Sequence, residues 1–199
     1  MGDCSMILTR RPGATVSVFE SNRNAEVYAY YIITRGNRPM PSRADIDPAK
    51  FKKHLPYVYM AKVVREDDDD HRFQISLMGT ELVEVLKQDG KGRFIRELDL
   101  GGYEHAWRES ILSAFKSKSP AVTMDRILMK SGLEINLEHL VLPLSDDGEH
   151  VDRIFGCFDF PHYTDEWISE NLDQVDWANA VQIEVPKRLL ITNLELPLD

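Results

Sequence analysis

Alternating apolar and polar residues mark two short stretches in the first half of the chain. Residues 57–64 are rich in Val and Tyr, and in residues 72–78 every second residue is apolar. A period of two is typical of a half-buried β-strand. The run of four aspartates between the stretches fits an exposed turn, so the pattern predicts a β-hairpin with an acidic tip.

Three longer apolar stretches follow in the second half of the chain, at residues 121–129, 133–144 and 151–160. Short segments containing glycine and polar residues separate them, as is usual between antiparallel neighbours. We therefore predict a three-stranded meander, which joins the hairpin in one five-stranded antiparallel sheet.

Helical spacing of apolar residues appears before the hairpin. Residues 24–35 show it and are followed by Gly36, a typical residue beyond a helix C-terminus. Asp47 and Pro48 fit the start of a short helix that Pro56 ends.

Two more helices are predicted between the hairpin and the meander. Residues 80–86 fit a short helix, and a longer one follows Gly102 and ends before Pro120. The apolar stripe of the longer helix consists of Trp107, Ile111, Leu112 and Phe115.

Residues 164–180 predict a helix in the C-terminal tail, and residues 181–198 fit either a strand or an arm. The apolar stripe of the tail comprises Trp167, Ile168, Leu172, Val175 and Trp177. It must be covered, either by packing within the chain or by a homodimer contact. The N-terminal helix has the same two choices, the open face of the sheet or a second subunit.

Segregated strands and helices indicate the α+β class rather than a doubly wound sheet. The predicted architecture is a five-stranded antiparallel sheet with short helices on one face. It is flanked by an N-terminal arm and helix at residues 1–36 and a C-terminal tail at residues 163–199, so the central domain covers residues 37–162.

Composition narrows the class of protein. The chain has 199 residues and is 43% apolar, which excludes wholesale disorder. Its net charge of −9 argues against nucleic-acid binding through a broad basic face. Without a run of about 18 apolar residues, no membrane span is expected. Cys4 and Cys157 are too few and too far apart for a disulfide framework, so we expect a cytoplasmic protein.

An ordered set of short motifs runs through residues 41–98. Its members are Pro41, Arg43, Asp45, Ile46, Asp47, Pro48, Leu55, Pro56, Arg72, Phe73, Gly79, Thr80, Gly92 and Arg93. This set resembles the pattern of a bacterial family of stand-alone PAS-like proteins. The predicted β-β-α-β-β-β order is similar to that of PAS domains.

The resemblance implies a PAS-like domain and a sensory or regulatory role. Because the domain takes up most of the 199 residues, we expect signals to leave through protein contact. Lys87 and Lys91 stand where that family usually has Gly and Thr. A ligand known for a relative is therefore not carried over to this chain.

A PAS-type sheet curves around a pocket, and its inward-facing residues are the ligand-binding candidates. They are Phe73, Ile75, Leu77, Leu82, Val83, Leu86, Phe94, Leu98, Ile135, Leu137, His139 and Val141. The same residues also fit a core filled by side chains, because an apolar inner face is needed simply to fold.

His139 is the most informative candidate, because alternation buries it among aliphatic neighbours and a buried imidazole needs a partner. Its partner is a ligand, a haem iron or a backbone carbonyl. Neither haem nor flavin is expected, since a lone histidine is usually structural and Cys157 lacks the context of a flavin-adduct cysteine. The cofactor is therefore unknown, and none is required.

The sequence thus predicts a non-catalytic PAS-type module that acts as a homodimer or on another signalling protein, with a small ligand as a further partner. One alternative is a small enzyme in which His139 and Asp159 transfer a proton. The other is a ligand-free interaction adaptor, which predicts room for only a few waters in the core.

Overall fold

Six strands form one antiparallel sheet in the computed structural model, which describes residues 19–65, 71–171, 174–175 and 187–190. The strand order across the described sheet is β2-β1-β5-β4-β3-β6. The bounds are β1 Val58–Arg65, β2 His71–Met78, β3 Ala121–Leu128, β4 Glu134–Leu144, β5 Arg153–Asp159 and β6 Lys187–Leu190. The predicted hairpin, meander and α+β class are confirmed, and β6 adds an edge strand beside β3.

Four α-helices accompany the described sheet: α1 Asn22–Arg35, α2 Thr80–Leu86, α3 Tyr103–Ser117 and α4 Asp165–Asn171. The short helix predicted from Pro48 is a run of 3-10 turns, Pro48–Tyr57, in which the Asp47 side chain accepts a hydrogen bond from the Ala49 N–H. Its 3-10 turns continue through Pro56, which was expected to end it.

The C-terminal helix is shorter than the predicted span of residues 164–180. It ends at Asn171, and Val175 pairs with Met129 as an isolated β-bridge. Trp167 and Ile168 pack against the core of the same chain. Leu172 and Trp177 lie outside the described residues.

Both faces of the sheet are covered. The inner face carries Tyr59 on β1 and Leu137 on β4, and it packs against α2 and α3. The outer face carries Leu140 and Phe155, and it packs against α1 and the Pro48–Tyr57 turns. The N-terminal helix therefore docks on the open face of its own sheet.

A bulge in the hairpin corrects the prediction for Leu77. Met60 pairs with Leu77, but the next residue of β1, Ala61, pairs with Ile75, so Ser76 is the extra residue. Alternation is interrupted there, and Leu77 leaves the inner face with 39% of its surface exposed. Met78 takes its place against the inner core.

The Leu-Pro and Gly-Thr motifs meet in space where β2 passes into α2. The Gly79 N–H donates to the Val58 carbonyl at 2.8 Å. A Cβ at Gly79 would lie 2.2 Å from the Pro56 carbonyl oxygen and 2.4 Å from that of Leu55. Because backbone atoms cannot swing aside, this junction requires glycine.

Candidate functional site

A polar centre lies in the middle of the inner face, where β1, β4, β5 and α3 meet. The His139 ring stacks on Phe158 with centroids 4.1 Å apart, and its Nε2 hydrogen-bonds the Tyr59 hydroxyl at 2.9 Å. Trp107 of α3 presents an edge to Tyr59 at 4.9 Å and to Phe158 at 5.2 Å. We call Tyr59, Trp107, His139 and Phe158 the aromatic box.

The box holds its polar atoms away from water. His139 and Trp107 are fully buried, and burial lowers the pKa of His139 to about 3. The imidazole is therefore neutral at physiological pH. Burial also raises the pKa of Tyr59, while the nearby Trp107 indole acts in the opposite direction.

Two nitrogen atoms of the box are unpaired. Within the described part of the chain, neither His139 Nδ1 nor Trp107 Nε1 has a hydrogen-bond partner. A buried polar atom without a partner costs about 1–3 kcal/mol, so either atom is a ready attachment point for a small polar molecule. The role of Nδ1 as donor or acceptor follows from the tautomer that the Tyr59 bond selects.

The aromatic rings fill the centre of the inner face. Two small pockets open elsewhere, one lined by Arg72, Phe94 and Arg108 and one beside Trp167 and Asn171. Each holds about 10 Å³, room for roughly one water molecule.

Most of the ligand-binding candidates lie in the inner core. The buried ones are Phe73, Ile75, Leu82, Leu86, Leu98, Ile135, Leu137, His139 and Val141. Val83 and Phe94 are half-buried, and Leu77 lies on the other face. Whether any of them binds a ligand stays a prediction.

The proposed proton-transfer pair, His139 with Asp159, is wrong because the two side chains lie on opposite faces. His139 pairs with Phe158 across β4 and β5, whereas Asp159 pairs with Glu138. Neighbouring residues of a strand point to opposite sides of the sheet. Asp159 instead accepts hydrogen bonds from Ser21 and Arg23 at the start of α1.

Sequence reasoning missed the three aromatic partners of His139. Tyr59 was assigned only to a strand, Trp107 only to a helix stripe, and Phe158 was not singled out. Alternation places Tyr59 and Phe158 on a strand face, but only the fold brings α3 onto that face. Among the residues that the structure describes, no cluster of His, Cys, Asp and Glu fits a metal ion.

A second polar cluster lies behind the aromatic box on the outer face, and we call it the outer latch. Glu138 is fully buried and accepts hydrogen bonds from the backbone N–H of Glu20 at 2.7 Å and of Ser21 at 3.3 Å. Asn24 Nδ2 donates to its other carboxylate oxygen at 3.0 Å. Burial raises the pKa of Glu138, and these donors oppose the rise.

Arg23 extends the outer latch to the C-terminal helix. Its guanidinium pairs with Asp159 of β5 and with Asp165 of α4, the latter at 2.5 Å. It also lies over the Tyr57 ring at 3.4 Å from the centroid. One side chain thus joins α1, β5 and α4.

The aromatic box and the outer latch are adjacent along both strands. Glu138 and His139 are consecutive on β4, and Phe158 and Asp159 are consecutive on β5. Across the two strands, His139 pairs with Phe158 and Glu138 pairs with Asp159. A displacement of these strands at the box therefore also displaces the anchor of α1 and α4.

The two-sided sheet and its strand order define a PAS-type module. A family model described as a PAS domain matches residues 19–159. The chain belongs to the PAS domain family, and the protein is a sensory or regulatory module. The match includes α1 and strands β1 to β5. The domain boundaries inferred above stay predictions.

Solved structures of similar shape include Vibrio cholerae VqmA in complex with a ligand and DNA. That likeness has 11% identity and a TM-score of 0.43, covering 56% of this chain and 49% of VqmA. VqmA bound to DPO has 11% identity and a TM-score of 0.43, covering 58% of this chain and 57% of that one. An RNA-binding light-oxygen-voltage receptor has 18% identity and a TM-score of 0.38, covering 67% of this chain and 38% of the receptor.

The chain spans about half the length of the VqmA structures that it matches. No curated protein matches it. No helix in the described part of the chain is long and apolar enough to cross a membrane.

Proposed function

We propose that this protein is a non-catalytic PAS-type regulatory module that senses a small molecule at the aromatic box and signals through protein contact. The observation that carries the proposal is the pair of unpaired buried nitrogens, His139 Nδ1 and Trp107 Nε1. A molecule that hydrogen-bonds either atom supplies a partner that the fold itself does not.

The size of the ligand follows from the packing. The Trp107 ring lies about 5 Å from those of Tyr59 and Phe158, so the closed box admits only a few heavy atoms. A larger ligand requires α3 to move away from the sheet, because α3 carries Trp107. A small ligand in the closed box and a larger ligand that moves α3 both push on β4 at His139 and on β5 at Phe158.

The proposed output is the outer latch. Since Glu138 and Asp159 are the chain neighbours of His139 and Phe158, movement in the box changes the hydrogen bonds that hold α1 and α4. A ligand shifts this equilibrium only by its difference in affinity for the two states. Regulation therefore consists in docking or releasing the flanking helices.

The test follows the Trp107 indole N–H signal by NMR while urea, acetamide or imidazole is added. Native mass spectrometry and an absorbance scan of freshly purified protein report any retained molecule. We expect one of the probes to shift the Trp107 signal in wild type and not in His139→Phe, or a retained molecule to be found in wild type and not in His139→Phe. His105→Gln is the matched control, because His105 is an exposed histidine on the same helix as Trp107.

A second candidate function is a ligand-free interaction adaptor, and the filled centre of the inner face favours it. In that case no probe moves the Trp107 signal and no mass is retained. Binding to a partner then persists in His139→Phe and weakens when the outer latch is opened by Arg23→Gln.

We also propose that the signalling partner is a second copy of the chain or another regulatory protein in the cytoplasm. The free buried Cys157 fits a reducing compartment. Ile33 of α1 is 76% exposed, an apolar side chain that a partner can cover. Sedimentation equilibrium should show a dimer that Ile33→Asp weakens. Leu133→Asp, which also replaces an exposed apolar side chain, is the control.

A further inference from the structure

Tyr59 determines which hydrogen-bonding groups the aromatic box has left to offer. Its hydroxyl lies 2.9 Å from His139 Nε2, and its side chain is fully buried. Burial raises the pKa of Tyr59, so the phenol keeps its proton at physiological pH. The neighbouring Trp107 indole cannot accept that proton, because its N–H only donates. The phenol therefore donates its hydrogen bond to His139 Nε2.

The direction of this bond fixes the tautomer of His139. The ring is neutral, because burial lowers its pKa to about 3. A neutral imidazole carries one N–H, and Nε2 cannot be the protonated nitrogen while it accepts from the phenol. The proton therefore sits on Nδ1, which is buried and has no partner within the described residues. Both unpaired nitrogens of the box, His139 Nδ1 and Trp107 Nε1, are thus donors.

The surroundings of the box disfavour charged molecules. Glu138 and Asp159 lie directly behind it on the outer face of the sheet. Asp125 of β3 lies on the inner face, where its carboxyl group accepts a hydrogen bond from the Tyr103 hydroxyl at 2.8 Å. These acidic groups repel an anion, and a cation in the box would meet N–H donors instead of acceptors. An ion buried there would lack a partner of opposite charge, which is strongly unfavourable.

We infer that the aromatic box recognises a neutral molecule through an acceptor oxygen, and that carbonyl compounds are its ligand class. A carbonyl oxygen accepts a hydrogen bond from His139 Nδ1 or from Trp107 Nε1 and brings no charge into the box. The inference rests on the proposed function and adds the chemistry of the ligand to it.

Tyr59 is then a positioning residue that sets the specificity of the box. Without the phenol donor, the imidazole proton is free to move to Nε2, and Nδ1 becomes an acceptor. The box would then offer one donor and one acceptor, and its preference for a carbonyl oxygen would weaken.

The test compares three probes of the same size and planar shape. Formamide is neutral, formate is its negatively charged counterpart and formamidinium is its positively charged counterpart, each with three heavy atoms. Probes this small suit a box whose rings fill the inner face while α3 is docked. Each is titrated into the full chain at pH 7 and matched ionic strength, and NMR follows the Trp107 indole N–H and the two ring nitrogens of His139.

We expect the spectrum of the free protein to place the His139 proton on Nδ1. Formamide should then shift the Trp107 or His139 N–H signal to saturation, while formate and formamidinium leave both unchanged. Tyr59→Phe should weaken formamide binding about fivefold and let the proton populate Nε2. Tyr31→Phe is the matched control and should keep the wild-type affinity, because its hydroxyl donates to the Pro143 carbonyl on the outer face.

A proton on Nε2 in the wild-type protein overturns the inference, and this measurement needs no variant. Failure of formamide to bind also overturns it, as does equal weakening in Tyr31→Phe. If formate or formamidinium binds instead, the ligand class is wrong and the sensor function stands. If no probe binds and no molecule is retained by the purified protein, the sensor function fails together with the inference.

Discussion

The two faces of the sheet each bury a titratable side chain on β4, but they treat it differently. Glu138 on the outer face has three donors around its carboxylate, whereas His139 on the inner face has one partner and a bare Nδ1. A side chain whose polar atoms are all paired is fixed in one arrangement, and a side chain with an unpaired atom leaves something to bind. Under the proposed function, the outer face anchors the flanking helices and the inner face senses the small molecule.

The largest expected effect concerns the packing of the inner face. Trp107→Ala should lower the free energy of unfolding by about 3–5 kcal/mol, because it empties the middle of the aromatic box. Urea denaturation measures the loss. Trp167→Ala is the control, since Trp167 is only half-buried on α4. If the two variants lose equal stability, the box is not the centre of the inner core.

Strand alternation predicted much of this arrangement. It placed Ile135, Leu137, His139 and Val141 on one face, because a period of two depends only on local backbone geometry. Alternation placed Leu77 on the wrong face, because the apolar pattern gives no sign of the bulge that shifts the period. The glycine of the Gly-Thr motif was readable as a strand-to-helix junction.

The box and the latch were beyond sequence reasoning for a different reason. Trp107 meets His139 through the docking of α3 on the sheet, and Ser21 meets Glu138 across more than a hundred residues. Alternation along β4 turns Glu138 away from the inner face, which the structure bears out. Its burial follows from α1, and periodicity does not say which surface a flanking helix covers.

The second prediction uses the pH dependence of stability to distinguish the inner face from the outer face. His139 stays neutral in the folded chain down to pH 3 or so, while the unfolded chain takes up a proton near the ordinary pKa of 6.5. The unfolded state therefore binds more protons between these values, and stability falls as pH falls. The loss between pH 7 and pH 5 should be about 2 kcal/mol.

His139→Phe removes the loss of stability that is due to His139, while the carboxylates of the chain still respond to acid. The measurement is urea denaturation of wild type and variant at several pH values, with the difference in slope as the readout. His105→Gln, at a histidine whose ring is 81% exposed, is the matched control. A His139→Phe slope equal to that of wild type would mean that His139 is protonated in the fold.

The outer face should show the opposite sign with a smaller effect. The pKa of Glu138 is raised above 4.5, so the folded chain holds this proton more tightly than the unfolded chain. Its stabilising contribution is complete below 4.5 and is lost as pH rises through the raised pKa. Glu138→Gln removes this dependence and keeps a carbonyl oxygen for the donors. A steeper loss of stability on acidification in Glu138→Gln confirms the sign.

The smallest effect compares one hydroxyl on each face. The Tyr31 hydroxyl on the outer face donates to the Pro143 carbonyl at 2.8 Å, so Tyr31→Phe should cost about 1 kcal/mol. Tyr59→Phe on the inner face should cost more, about 1–3 kcal/mol, because it leaves both nitrogens of His139 without a partner.

Both variants keep their ring and their packing, so urea midpoints with an unchanged denaturant slope isolate the hydroxyl. The order of the two losses decides the comparison. If Tyr31→Phe is the more harmful, the His139 ring has another partner in the folded chain and is as fully paired as the Glu138 carboxylate. The aromatic box would then be an anchor like the outer latch, and the adaptor function would replace the sensor.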